Sequence, residues 1–209
     1  MNTYTDWKQV KAEIFWGEVA PCDHILQIYE SDDIFIDTLA GFVGSGINTG
    51  DCCIVIATKA HLAALNNKLT SFGIHVDTLI ADDRYFPLVA EEILSKFMVN
   101  GWPDEELFMH TVSQIIERCH KTKRRIRAFG EMVALLWAQG FSGATVHLEH
   151  LWNKFCKKEE FCLFCAYPKT GFTGDINIST GHICSEHSKM ISGSEKQLTE
   201  IFYRHTEVA

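Results

Sequence analysis

The run CCIVIA at 52–57 constrains the fold more than any other stretch. It stands between an Asn-Thr-Gly-Asp turn and Thr58, a residue suited to cap a following helix. A run this short and continuously apolar fits a strand covered on both faces, as in a parallel sheet. HILQIY (24–29), HVDTLI (75–80), IRAFGEM (126–132) and FCLFCAY (161–167) read as companion strands. Helical spacing of apolar residues fills 34–47, 59–73, 87–101, 103–122 and 145–158. Residues 1–22 and most of the chain after 181 also read as helical, and the Gly/Thr-rich 169–181 as a loop. The alternation predicts an α/β fold with a mostly parallel central sheet flanked by helices. In such sheets, ligands sit outside the C-terminal ends of the strands.

Length and charge narrow the function. With 209 residues, 46% of them hydrophobic, the chain can build a core without disulfides or metal. It carries 19 Lys and Arg against 27 Asp and Glu, a net charge of −8. That balance argues against a nucleic-acid partner, whose phosphates call for basic surface, and against an anionic membrane. The start, MNTYTDWKQVKAEIFW, lacks the basic and apolar regions of a secretory signal, and no apolar run reaches the roughly 18 residues of a membrane span. The expectation is a cytoplasmic protein whose eight cysteines are reduced thiols or metal ligands. Adjacent Cys52 and Cys53, inside an apolar run, read as buried small hydrophobes.

Several local patterns bear on chemistry. The first strand–turn–helix is where a phosphate loop would fall, with signature G-x-x-x-x-G-K-[ST]. Here it reads Tyr29-Glu30-Ser31-Asp32-Asp33: no Gly, no Lys and three carboxylates that repel phosphate. GFVGSG (41–46) lies inside a helical pattern and is not a dinucleotide fingerprint. Glu131, near a strand end, is either a ligand or metal anchor, or a cap or ion-pair partner of Arg127. His147, His150 and Lys154 share a helix face, most simply a solvated one. The basic stretch KTKRRIR (121–127) suits a helix C-terminus and could also dock an acidic partner. Cys162-x-x-Cys165 with Cys184-x-x-His187 has the spacing of a structural zinc site. Yet residues three apart on a strand point to opposite faces. Two buried cysteines with a loop Cys/His pair, or a pocket lined by Cys165, His182, Cys184 and His187, are the other readings. No catalytic triad or nucleophile turn can be assigned, so no enzyme activity is expected.

Read in order, the strings HILQIYESDD, FVGSGINTGDCCIVIATKAHLAALNNKL, FMVNGWPDEELF, IRAFGEMVALLWAQG, HLEHLWNKF, FCLFCAYP and HICSEHSKMI resemble the MEDS family, the methanogen/methylotroph, DcmR-type sensory domain. The resemblance implies a RecA/KaiC-like fold without an intact phosphate loop. The strand at 24–29 would sit where that fold carries its phosphate-loop strand, and Glu131 near its second acidic motif. It implies a cytoplasmic sensor of small organic compounds such as hydrocarbon derivatives, in a family often fused to histidine kinases or DNA-binding modules. The chain is then read as a helical lead-in (1–22), a sensory domain (23–192) and a helical tail (193–209). It would work as a stand-alone module that signals to a separate kinase or regulator, with residues 121–125 and the C-terminal helix as candidate surfaces. The expected ligand lining, at the C-terminal edge of the sheet, is His24, Tyr29, Glu131, Trp137, Glu149, Cys165, Tyr167, Cys184 and His187. Trp137 and Tyr167 would be aromatic walls, and Glu131 and His187 polar anchors. The alternatives are a metal or redox sensor, with zinc on Cys162, Cys165, Cys184 and His187, a divergent nucleotide-binding protein, and a homodimeric scaffold.

Overall fold

The apolar strands assemble as the alternation predicts. The computed structural model describes residues 7–11, 16, 19–172, 178–193 and 200–204. Six parallel strands form the centre, in the spatial order β9 (Lys189–Gly193), β2 (His24–Tyr29), β8 (Cys162–Pro168), β7 (Ile126–Gly130), β3 (Cys52–Ala57) and β4 (Tyr85–Val89). Two antiparallel strands, β10 (Glu200–Arg204) and then β1 (Trp7–Lys11), extend the sheet beyond β9.

Helices cover both faces. On one face lie α1 (Asp32–Asn48), α2 (Lys59–Ser71) and α3 (Val76–Ala81). On the other lie α4 (Ala90–Leu94), α5 (Glu105–His120), α6 (Met132–Ala138), α7 (Ser142–Glu159) and α9 (Ile178–Glu186). A short β5–β6 hairpin (Met98–Val99, Trp102–Pro103) and α8 (Lys169–Phe172) complete the described elements. Thr58 caps α2 as the sequence suggests, and Ser31 and Asp104 likewise accept backbone N–H groups of α1 and α5. Among the described residues, no helix is long and apolar enough to cross a membrane.

Strand alternation sorts side chains between two cores. On β8, Leu163, Cys165 and Tyr167 enter the core under α7, whereas Cys162, Phe164 and Ala166 enter the core under α1. On β2, Leu26 faces α7, and Ile25 and Tyr29 face α1.

Several sequence expectations are corrected. HVDTLI is helix α3, and the sheet strand comes ten residues later at Tyr85–Val89. The helix expected over 87–101 is a strand end, one short helix and half a hairpin. Here Pro87 is tolerated because β4 is the sheet's edge, pairing on one side with β3. Where helices were expected in the lead-in and tail, residues 7–11 and 200–204 are strands. The stretch after α9 turns into β9, which completes the parallel sheet beside β2. Of the loop expected at 169–181, both ends are helical, and 173–177 lie outside the described residues. Propensity misjudged these segments because sheet pairing and burial, not local preference, decide them.

One buried ion pair ties the α1 face together. Arg127 Nε donates to Asp51 Oδ2 at 2.7 Å, and Nη1 donates to the Trp16 carbonyl at 2.7 Å. Both charged side chains are nearly solvent-free, at 3% and 4% exposure. Gly46 makes room: a Cβ there would lie 2.8 Å from Cys53 Sγ and 2.9 Å from Arg127 Cδ. The basic stretch is therefore partly structural, since Arg124 binds the Gly50 carbonyl and Arg125 the other Asp51 oxygen. Removing one partner of a buried pair strands a charge, so Asp51→Ala is expected to cost about 3–5 kcal/mol in urea denaturation. Arg125→Ala, whose side chain is 57% exposed, is expected to cost under about 1 kcal/mol in the same experiment.

Candidate functional site

Four elements converge under the α7 face of the sheet. His24 opens β2 and Cys165 lies on neighbouring β8, paired in register with Leu26. Glu149 projects from the middle of α7, and His187 follows α9 directly. All four are buried. His24 Nε2 lies 3.5 Å from Glu149 Oε2 and 3.5 Å from Cys165 Sγ. His187 Nε2 lies 3.6 Å from the same Glu149 oxygen. The two imidazole rings are packed with centroids 3.9 Å apart.

The hydrogen bonds around this cluster assign its proton positions. His24 Nδ1 meets the Glu186 carbonyl at 3.0 Å, and His187 Nδ1 meets the Ile183 carbonyl at 2.7 Å. A carbonyl only accepts, so both Nδ1 atoms carry the proton and both Nε2 atoms point lone pairs at the cluster. Tyr167 donates its hydroxyl to Glu149 Oε1 at 2.5 Å. Among the described residues, Glu149 Oε2 and His187 Nε2 have no hydrogen-bond partner.

Burial dominates the titration. It holds the His24 and His187 imidazoles below the ordinary 6.5, His187 at about 4. Burial also pushes Glu149 up to about 8, with the Tyr167 hydrogen bond pulling the other way, and holds the Cys165 thiol well above 9. With neutral imidazoles, the His–Glu contacts are not ion pairs. Two imidazole nitrogens, one carboxylate oxygen and one thiol sulfur lie within 4.8 Å of one another, a donor set able to hold a metal.

The expected lining residues divide between two places. His24, Glu149, Cys165 and His187 form the cluster itself. Tyr167 binds it, Trp137 packs edge-on against Tyr167 at 6.3 Å, and buried Cys184 lies on α9 with Glu149 raising its thiol pKa after burial. Tyr29 and Glu131 stand apart, on the α1 face at the C-terminal strand ends. His24 begins its strand, so the cluster lies away from the sheet edge where the ligand was expected. The zinc set containing Cys162 cannot close on one ion, because Cys162 and Cys165 enter opposite cores. His182 is exposed and outside the cluster.

The second locus uses a histidine that sequence reasoning missed. Glu131 Oε2 accepts the Thr58 N–H at 2.8 Å at the start of α2, and Oε1 meets His61 Nδ1 at 2.7 Å. Asp32 Oδ2 lies 3.8 Å from His61 Nε2. Tyr29 stacks on Phe35, whose ring packs against His61. Arg127, the other partner considered for Glu131, is engaged by Asp51. Beside His61 runs a groove of about 530 Å³ between α1 and α2, lined by Asp32, Asp33, Asp37, Lys68 and others. The available signal for His61 was its place three residues after the Thr58 cap, in the helix that leaves a buried strand.

A parallel sheet in this order, with helices on both faces, defines a RecA-type α/β domain. The chain aligns with a KaiC-like protein from the hyperthermophilic archaeon Pyrococcus horikoshii OT3, at TM-score 0.59 and 10% identity, over 90% of this chain and 82% of that one. Residues 23–180 match the MEDS family, described as MEthanogen/methylotroph, DcmR Sensory domain. The chain belongs to the MEDS family. No curated protein matches its sequence. Among solved structures 183 chains match, and a fold so widely shared carries no function by itself.

The Glu131 pairing sets the pH behaviour of the groove. The Glu131 hydrogen bond and charge, with Asp32, outweigh burial and raise His61 above 6.5. A raised imidazole pKa means the proton stabilises the fold. That contribution is complete below about 6.5 and is lost as pH rises through the folded value. Glu131→Gln is expected to bring the His61 pKa down toward 6.5 in an NMR titration. It should destabilise the protein more at acidic than at alkaline pH.

Proposed function

We propose that this MEDS domain is a non-catalytic cytoplasmic sensor. Its input is a small organic ligand received at the His24–Glu149–Cys165–His187 cluster, with Trp137, Tyr167 and Cys184 beside it. The observation that carries the reading is a fully buried polar cluster with two unpartnered atoms. Each such atom costs roughly 1–3 kcal/mol, so the cluster opposes stability and calls for another role. His24 Nε2 faces the Cys165 thiol, but burial holds that thiol well above 9 and the imidazole below 6.5, so the pair is a neutral thiol–imidazole contact and not an activated nucleophile. The turn after β2 offers Glu30, Asp32 and Asp33 in place of a phosphate-binding lysine, which supports reading it as a degenerate phosphate loop and disfavours nucleotide hydrolysis.

Output would pass through α7 and α9, which the cluster joins. Outside the core the same helices are linked by Asn153 and His150 to Glu186. A ligand that moves Glu149 against His187 shifts α7 against α9, and a separate kinase or regulator, or a second copy of the chain, would read the change. The exposed basic residues at 121–125 and the C-terminal segment are the surfaces proposed for it.

The test is a thermal-shift screen with short alcohols, aldehydes and halogenated methanes. A ligand at 100 times its Kd adds about 2.7 kcal/mol, which for a chain of this size raises Tm by about 5–11 °C. Glu149→Gln is expected to abolish the shift and Glu131→Gln to keep it. A screen with no shift, or a shift that follows Glu131 instead, would sink the reading.

A further inference from the structure

We propose that His24 Nε2, His187 Nε2, Glu149 Oε2 and Cys165 Sγ together ligate one divalent first-row transition-metal ion, zinc by preference. The inference deepens the proposed function and rests on it for the meaning of the site as an input; the coordination itself rests on geometry.

Distances come first. A tetrahedral zinc shell with Zn–N and Zn–O near 2.0–2.1 Å and Zn–S near 2.3 Å has ligand–ligand edges of roughly 3.3–3.6 Å. The three close edges here are 3.5, 3.5 and 3.6 Å, and all four donor atoms fall within 4.8 Å. Without a metal, the Cys165 edge is a thiol–imidazole hydrogen bond to His24 Nε2, and the rival occupant of the other two edges is a Glu149 proton shared with an imidazole. It does not fit, because carboxyl-to-imidazole contacts of 3.5 and 3.6 Å are too long for a hydrogen bond.

The surroundings match as well. Each imidazole turns its Nδ1–H to a backbone carbonyl, Glu186 for His24 and Ile183 for His187. Glu149 is held through its other oxygen by Tyr167. Such outer partners fix the orientation of metal ligands and leave the coordinating lone pairs facing inward. The atoms facing inward include the unpartnered ones, Glu149 Oε2 and His187 Nε2, in side chains with no solvent exposure. Charge also closes once the ion displaces the Cys165 proton, and any proton on Glu149, to solvent: two neutral imidazoles, a carboxylate and a thiolate then carry two negative charges, which a divalent ion neutralises inside a core where net charge is costly. Imidazole with a single thiolate and carboxylate suits zinc or iron and not magnesium or calcium, which take oxygen ligands.

The ligands come from four separated points of the chain. Of the Cys-x-x-Cys and Cys-x-x-His pairs that suggested zinc, only Cys165 and His187 take part. Their partners are His24 and Glu149, more than a hundred residues apart in sequence.

The test is cobalt(II) titration of the 209-residue chain freed of metal with a chelator, alongside metal analysis of freshly purified protein. The expected result is about one zinc or iron per chain as purified. With cobalt, a thiolate charge-transfer band and the intense visible bands of four-coordination should saturate at about one equivalent. Losing even an outer-shell partner costs 10–100-fold in metal affinity, so Cys165→Ser should lose the charge-transfer band and His187→Ala should weaken binding by about 100-fold or more. Cys162→Ser, on the opposite face, should leave both unchanged. Absence of retained metal together with absence of a saturable cobalt spectrum in the wild type overturns the proposal without reliance on any variant, as does a charge-transfer band that survives Cys165→Ser. A cobalt site that forms as expected while the small-molecule screen stays flat keeps the metal as a structural ion and removes the sensory reading alone.

Discussion

Both faces of the parallel sheet are covered by helices, so every side chain on β2, β8, β7 and β3 must enter one of two cores, and strand parity decides which. That constraint organises the molecule. It sends Cys165 and Tyr167 under α7 and Cys162 under α1. A one-residue slip of β8 against β2 would exchange the two sets and dissolve the cluster. Register is held by parallel pairing on both sides of β2, over His24–Tyr29 with β8 and Ile25–Tyr29 with β9. Arg127 and Asp51 clamp the start of β7 against the α1–β3 turn.

The two polar loci on this frame differ in their electrostatics. Around Glu149 the environment is dry, and burial drives each group toward its neutral form: imidazoles below 6.5, carboxyl up, thiol up. Around Glu131 the groove is open to solvent, and a carboxylate with a second acidic neighbour holds an imidazole toward its charged form. The same residue types thus acquire opposite protonation tendencies, because desolvation wins in one place and a nearby charge in the other. The dry locus, with acceptor atoms unpartnered among the described residues, is the one at which a bound group is proposed.

Much of the site was legible as chemistry and little of it as place. Of the residues expected to line a ligand, seven gather in and around the cluster, whereas Tyr29 and Glu131 belong to the other face. The expectation placed all of them at strand ends because ligands commonly sit there in open α/β sheets. His24 escapes that logic, since it begins its strand and reaches the cluster through the sheet's face. His61 went unread because a lone histidine in a helix's first turn has no pattern around it. The strand at 189–193 was taken for helix because five residues after a helix carry too little periodicity to show a change of state.

The sequence by itself determined the fold class, the apolar strands it placed at 24–29, 52–57, 126–132 and 161–167, the long helices and the Thr58 cap. It also determined that Cys162 and Cys165 could not share one face. These follow from local rules: hydrophobic period, turn chemistry and the alternation of side chains along a strand. Only the tertiary structure decided which histidines meet Cys165, that Glu149 is buried, and that Asp51 takes Arg127 while Glu131 takes His61. Those outcomes depend on strand order and on the packing of α7 and α9 beneath the sheet. They bring together residues 24, 149, 165 and 187, and no local spacing along the chain encodes a contact across such distances.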